Sequence, residues 1–529
     1  MSPPSGQSIK SAGGDLVLLR HGHGWRTSVV IHTDAFPTPF PQGARLRVHV
    51  FDQNGRELGV TVFPLLGRFV AFTSDDLARK CGIDLSLPDD RVLFVELEVP
   101  ADAEGTGWEA IRRLFSVVDW FDDTGDVATL HNDQSIDPEL AHYDGSIEFT
   151  EIIAHISSGE RVELLFIAGG DTGTDCQIRV DMRNSRGDTR SPGVPMRAEP
   201  FSVQSICLHE LLPDIAEFAA GQPLAISGVC PAAGRFLRPY VIHRGARFCA
   251  YHGGNRYAMK PMPTILYGFL GNGEVNPVAV FDDDRIETWA NVLNSHGSLE
   301  QDFWVGVRLY DAAGTLIAEN ERWLLAVRHG YSRGRLADLL PPGTQRPFVG
   351  HAAYFYSPVP GAGAYPQRVQ VLSEYRGADY ASHVMLWSDQ WNAPDRQRLL
   401  ARYAFTGWFR VWCDDQLVTS IILGNVSVAE DYSRSANAEI RLINQSGEVL
   451  TCERMVPPSG TLTESIDCLF PEAAAHLTPT GLGIVEVSSA ADVSKMQVTR
   501  HQRSGVMAFE HFMSLPIRDG DRVIRPCGS

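Results

Sequence analysis

Four histidines stand near the close of what reads as a long internal repeat: His131, His252, His383 and His511. Their contexts are Thr129-Leu130-His131, Ala250-Tyr251-His252, Ala381-Ser382-His383 and Phe509-Glu510-His511, each ending the last apolar stretch of a unit. An imidazole can donate, accept or bind a metal, so the four could be equivalent ligand positions. They are equally what duplication of a scaffold residue would leave behind, and the repeat favours that reading. A second group is aromatic: Tyr354-Phe355-Tyr356 in what reads as a Pro/Gly-rich loop, and Tyr251-His252-Gly253-Gly254-Asn255-Arg256-Tyr257 at the end of the second unit. Aromatic faces beside amide and guanidinium groups suit a sugar, whose C–H faces stack while its hydroxyls hydrogen-bond. Tyr354, Tyr356, Tyr251, Asn255 and Arg256 are therefore the candidate ligand-binding residues. Asp282-Asp283-Asp284, and Asp171 with Asp175, offer hard oxygens, but neither fits an EF-hand and both read as solvated acidic loops.

Arg20-His21-Gly22 follows the apolar run Leu16 to Leu19, and Arg328-His329-Gly330 follows Leu324 to Val327. The first resembles the strand-to-loop segment of histidine phosphatases, which implies a phosphoryl-accepting His and an Arg on the phosphate oxygens. That family also needs an alternating α/β body and a second Arg/His set, and this sequence has neither. Asp123-Thr124-Gly125 and Asp171-Thr172-Gly173 resemble the paired loops of aspartic proteases, whose carboxylates share a proton. The two triplets are too close in sequence for two such lobes, and Asp-Thr-Gly is ordinary turn chemistry in a β protein. Phosphate loops, dinucleotide fingerprints, His-Glu-x-x-His and Gly-x-Ser-x-Gly are absent from the sequence.

The elements that must position these residues recur four times. A β-rich run (Thr27–Ile31, Val162–Ile167, Thr288–Leu293, Thr419–Leu423) is followed by an alternating strand that runs into a turn glycine at 55, 187, 314 or 447. A Leu-rich segment before proline follows in three copies (Leu208–Leu212, Leu336–Leu340, Ile466–Phe470), with a looser one around Leu77, and reads as a single helical turn. The glycine spacing of roughly 130 residues is one sandwich domain. The expected fold is all-β: four tandem antiparallel β-sandwich-like repeats with short helical insertions. Residues 1–14 are expected to be a flexible leader, and the units to span 15–137, 138–262, 263–395 and 396–529. Helical stretches are expected at Trp108–Trp120 and Asp395–Tyr403. The architecture resembles bacterial proteins built of serial immunoglobulin- or fibronectin-like sandwiches.

Composition narrows function further. The net charge of −18 removes a general nucleic-acid binder. No apolar run is long enough to span a bilayer. Nine scattered cysteines without a CxxC pair point to reduced thiols in a soluble, cytoplasmic protein and away from a Cys-paired zinc site. No cofactor and no metal is assigned. The leading reading is a non-catalytic binding or scaffold protein that recognises a glycan or a protein partner. The alternative is an enzyme acting on a saccharide or similar polar substrate at the junction of units two and three, with His252, Asp283 and His383 the residues to test. Pairing of exposed edge strands between chains, giving a homo-oligomer, is a third reading.

Overall fold

The computed structural model describes residues 9–524 apart from 23, 34–39, 85–89, 102–113, 115, 132–146, 157–159, 170–173, 231–238, 257–261, 264–275, 295–301, 329, 358–363, 366–370, 386–403, 428–430, 516 and 520–521. It is all-β, built from antiparallel sheets that repeat one topology four times. In the first unit the eight strands are Ile9–Leu19, Arg26–His32, Arg45–Phe51, Glu57–Pro64, Phe69–Thr73, Arg91–Pro100, Val117–Phe121 and Val127–His131. The first, sixth, third and fourth form one sheet in that order, and the fifth, second, seventh and eighth form the other. The same two orders recur in the other three units. In the third, one further pair, Asp282 with Glu287, joins its two sheets into a continuous one. Alternation explains the packing: Ala436–Ile443, a third strand, runs buried–exposed along Ala436 to Glu439, one face to the core and one to water.

The hairpin between third and fourth strands is the most regular device. Asp52, Asn184, Asp311 and Asn444 each accept the backbone N–H of the glycine three residues on. Their side-chain oxygens accept from N–H groups two or four residues on, closing an Asx-type turn. Gly55, Gly187, Gly314 and Gly447 have φ of 84°, 86°, 89° and 85°, the left-handed region that an L side chain resists. The expected single helical turns fall between fifth and sixth strands: Ser74–Cys81, Leu208–Leu211, Leu336–Leu339 (a 3-10 turn) and Ile466–Leu469. Leu77, Leu208, Leu336 and Ile466 plug the sandwich there, each fully buried.

Two expectations are corrected. Residues 9–14 are not a flexible leader: they extend the first strand and pair with Glu96–Pro100, the sixth strand being long enough to template them. The stretch expected as helix at Trp108–Trp120 ends instead in the seventh strand, Val117–Phe121, whose residues are buried on both faces and so show no alternation. The expected helix at 395–403 lies outside the described residues. So do the expected boundaries at 137 and 395, whereas 262 falls on Met262–Pro263, which pairs with Ala364–Tyr365.

The four units are not beads on a string. Each hydrophobic core takes in side chains from the next unit. The first includes Leu165, Ile167, Tyr240, Ile242 and Phe248 of the second. The second includes Leu293 and Leu372 of the third, and the third includes Ile422, Met496, Val498 and Phe509 of the fourth. The fourth closes the series with Val30, Phe69, Val117, Phe121 and Val127 of the first. The order 1–2–3–4–1 is a closed ring of head-to-tail contacts.

Candidate functional site

At the centre of the ring lie the four eighth strands, Val127–His131, Phe248–His252, Ala381–Met385 and Met507–His511, packed against one another in the order one–two–three–four–one. Each is the edge of its sheet, so the ring turns four edges that would otherwise invite pairing onto one another. Backbone bonds between units help fix them: Phe248 N–H donates to Asp126, Phe509 N–H to the Ser382 hydroxyl, and His131 N–H to Glu510.

Register decides where the repeated histidines go. His131, His252 and His511 pair with Val117, Tyr240 and Met496, the same position in three units. His383 pairs with Glu374, two residues earlier, and the equivalent of the other three is Met385. The four do not form one set. His131, His252 and His511 meet: the His131 ring centroid is 4.4 Å from that of His252 and 4.4 Å from that of His511. His131 Nδ1 is 3.4 Å from His252 Nε2 and 3.3 Å from Glu510 Oε2.

His383 belongs to a second cluster, at the junction of units two and three. The Glu374 carboxylate is 2.9 Å from His155 Nε2 and 3.8 Å from His383 Nε2, and it accepts from Arg333 at 2.8 Å. Asn291 donates to its other oxygen at 3.4 Å. Burial alone would raise the Glu374 carboxyl, but His155, His383 and Arg333 outweigh it and hold it well below the usual carboxylate range. Burial pushes the His383 imidazole down to about 3 against the pull of Glu374, and drives His243, beside it, far below its ordinary value. Both are neutral imidazoles at neutral pH. Tyr251 lies 4.2 Å from His383, ring to ring, and its hydroxyl is spent on the backbone of Ile153, at 2.9 and 3.0 Å.

The matching junction of units four and one is built at the same place with other residues. Asp119, the counterpart of Glu374 on the seventh strand, accepts from Arg410 and, at 2.9 Å, from Trp412 Nε1, and Arg410 also donates to Thr129 and to Thr499. Arg410 and Asp119 are wholly buried. Nearby, Glu486 takes His32 at 2.9 Å and Arg68 at 2.7 Å across the same junction.

Other sequence candidates land elsewhere. Tyr354 is not in a loop: Phe348–Ser357 is the sixth strand of unit three, and Tyr354 points into its core, fully buried. Tyr356 lies on the same strand opposite Val305, and Asn255 and Arg256 lie on a short strand opposite Phe149 and Glu148. Asp283 caps its own turn through Arg285 and Ile286 N–H, and Asp282 pairs with Arg335 and Arg346. His252 thus lies with His131 and His511, His383 with Glu374, and Asp283 in a turn. Arg20 is buried at the first junction, 4.9 Å above the Phe248 ring and 2.9 Å from Asp90, which is scaffold and not phosphate chemistry. Asp123–Gly125 is the turn between seventh and eighth strands, where Asp122 accepts from Thr124, Gly125 and Asp126 N–H. Asp171–Gly173 lies outside the described residues.

Sequence reasoning quoted Phe355 but left it out of the ligand-binding set, and passed over Trp304 and Arg308. Alternation from buried Tyr354 turns Phe355 outward, over Gly306, where a Cβ would strike its ring. Arg308 stacks 5.2 Å from the Phe355 centroid, with half-buried Trp304 on the same face. His155, His243, Glu374 and Glu510 were also missed, since nothing local in the sequence marks them.

The fold and site therefore define a tandem β-sandwich protein whose units close a ring around buried His/carboxylate junctions. No family model matches the chain, and no curated protein matches it. Among solved structures, a biofilm-associated protein BSP domain aligns over 97% of this chain and 99% of its own, at 8% identity and a TM-score of 0.14. A tetra-tandem repeat from the extending region of a large adhesion protein aligns over 96% and 100%, at 9% identity and a TM-score of 0.09. At these values neither likeness bears on what this chain does. Among the described residues, no helix is long and apolar enough to cross a membrane.

Proposed function

We propose that the chain is a non-catalytic binding scaffold, a rigid ring of four β-sandwiches that presents sheet faces and unit ends to a glycan or a protein partner. The observation that carries this reading is the fate of the reactive groups. Glu374, His383 and Asp119, which could serve acid–base chemistry, are fully buried at junctions, and Asp119 and Glu374 are tied to partners from neighbouring units. A catalytic group must reach its substrate.

The face that suits a polar ligand is the outer side of unit three, where Arg308 lies over Phe355 and Trp304 is on the same face of the neighbouring strand. An aromatic platform with a guanidinium fits the stacking and hydrogen bonding of a sugar. The eight described cysteines carry no disulfide, which supports a reducing compartment such as the cytoplasm. The test is a glycan array probed with the full chain and with Trp304→Ala and Phe355→Ala, alongside a reducing-end assay on the same glycans. Binding that weakens about tenfold in either variant, with no turnover, is expected. Release of reducing ends by the native chain, abolished by His252→Ala or His383→Ala, would overturn the reading in favour of an enzyme.

A further inference from the structure

The central histidines have the features of a built metal site. Their donor atoms come from three units that the ring brings to one point: His131 from the first, His252 from the second, His511 and Glu510 from the fourth. Metal–ligand bonds of about 2.0–2.2 Å at tetrahedral angles place neighbouring donors about 3.3–3.6 Å apart. His252 Nε2 is 3.4 Å from His131 Nδ1, and His131 Nδ1 is 3.3 Å from Glu510 Oε2. One ligand atom each of His131, His252 and Glu510 lies within 4.8 Å of the other two, and His511 adjoins that group beside His131 and Glu510.

Two tautomers are set by the backbone. His252 Nδ1 is 3.1 Å from the carbonyl of Gly253, and His511 Nδ1 is 2.9 Å from the carbonyl of Phe512. A carbonyl only accepts, so each neutral ring carries its proton on Nδ1 and turns the Nε2 lone pair inward. Units two and four use the same device, each imidazole donating to the next residue's carbonyl. His511 Nε2 is buried, has no hydrogen-bond partner, and lies 3.8 Å from Glu510 Oε1. A lone pair facing a carboxylate oxygen in a buried site is unfavourable unless a proton or a metal ion stands between them, even with Glu510 Oε1 accepting the His511 backbone N–H at 2.8 Å. Among the described residues, the ion-pair partners of Glu510 are His131 and His511, with no Arg or Lys to compensate its charge at contact distance.

The other cluster lacks this character. The Glu374 carboxylate already holds Arg333 and Asn291, so a cation beside His155 and His383 would meet a guanidinium.

We propose that His131, His252, His511 and Glu510 bind one divalent transition-metal ion of the zinc class, which ties units one, two and four together at the ring centre. The ligand set, three neutral imidazoles and one carboxylate, is borderline in softness and suits Zn²⁺ or Co²⁺ better than Ca²⁺ or Mg²⁺. One anionic ligand leaves a modest net positive charge, far cheaper to bury than a bare dication. The role is structural: the ion adds a bond between units that the chain already places side by side.

The experiment adds Zn²⁺ alone, or Co²⁺ alone, to the full chain after treatment with a chelator. Bound metal is measured by mass spectrometry and calorimetry, and the Co²⁺ ligand field by visible absorption. One equivalent per chain is expected, with intense tetrahedral-type Co²⁺ bands and a rise in Tm on adding Zn²⁺. His131→Ala, His511→Ala and Glu510→Gln should each lower affinity by at least about tenfold, and His383→Ala should leave it unchanged. Half-exposed His252→Gln, a variant that leaves the buried residues intact, should do the same as the ligand variants even where His131→Ala fails to fold. Absence of stoichiometric binding overturns the proposal, as does binding that survives His252→Gln or that is lost in His383→Ala.

Discussion

Arg410 and Asp119 are both sealed from water and paired with one another, with hydroxyls, the Gln497 amide and the Trp412 indole around them and the Glu510 carboxylate acting on Arg410 as well. Taking two ions out of water is costly, and their attraction in the interior recovers that cost only while both are present. Arg410→Ala is therefore expected to lower stability by about 3–5 kcal/mol, because it strands the Asp119 carboxylate. Arg410→Met combined with Asp119→Leu should recover most of the loss, since neither charge of the pair then remains buried. Urea midpoints of the native, single and double variants measure this directly. A double variant no more stable than Arg410→Ala would show that the pair does more than neutralise itself. Little of this was legible from sequence: Arg410 sits in an apolar run, Phe405–Trp412, and its partner is almost three hundred residues away. The histidines show the same limit. His131, His252 and His511 could be picked out because they end equivalent strands, but His383 was grouped with them by sequence context and separated from them by a two-residue shift in register. Glu510, adjacent to His511 in sequence, acquires meaning only when the His131 strand from the far end of the chain is laid beside it.

Elements were read well where alternation or turn chemistry marks them and poorly where burial on both faces erases the pattern. The third strands and their glycines were clear. The seventh strand of unit one, Val117–Phe121, is buried throughout, so its sequence lacks the alternation that tells a strand from the end of a helix. The Asp or Asn three residues before each turn glycine builds the turn with its side chain, a role that the strand pattern does not mark. One consequence of the ring separates the four hairpins into two kinds. At Gly55 an added Cβ would land on the Pro200 carbonyl oxygen of unit two, and at Gly314 on the Pro458 carbonyl oxygen of unit four, whereas Gly187 and Gly447 face open space. All four alanine variants pay the left-handed backbone cost of about 1–2 kcal/mol. Gly55→Ala and Gly314→Ala must in addition push a hairpin away from its neighbouring unit, so their Tm should fall clearly further. Four equal shifts would mean that the hairpins at 55 and 314 do not dock.

The ring itself is a property of the whole molecule that no unit announces. A sandwich closes its own core and has no evident need of a neighbour, so the repeat suggests serial domains joined by linkers. The cores contradict that arrangement, because each is completed by side chains of the next unit, and Tyr375 of the third stacks on Phe509 of the fourth at 3.8 Å. Loss of one unit would expose apolar surface on two others and unpack the central strands. Unfolding should therefore be a single cooperative event, with the calorimetric and van't Hoff enthalpies close to one another, where independent domains would melt in separate steps. The closed shape also has a size. A compact chain of 529 residues should show a radius of gyration of about 24 Å in solution scattering. A row of four separately tumbling sandwiches would be much longer and give a larger value with an elongated distance distribution. A radius near the compact value together with one melting transition establishes that the ring persists in solution; a large radius with several transitions would break the ring into beads, and the central histidine site would lose the geometry on which its metal chemistry depends.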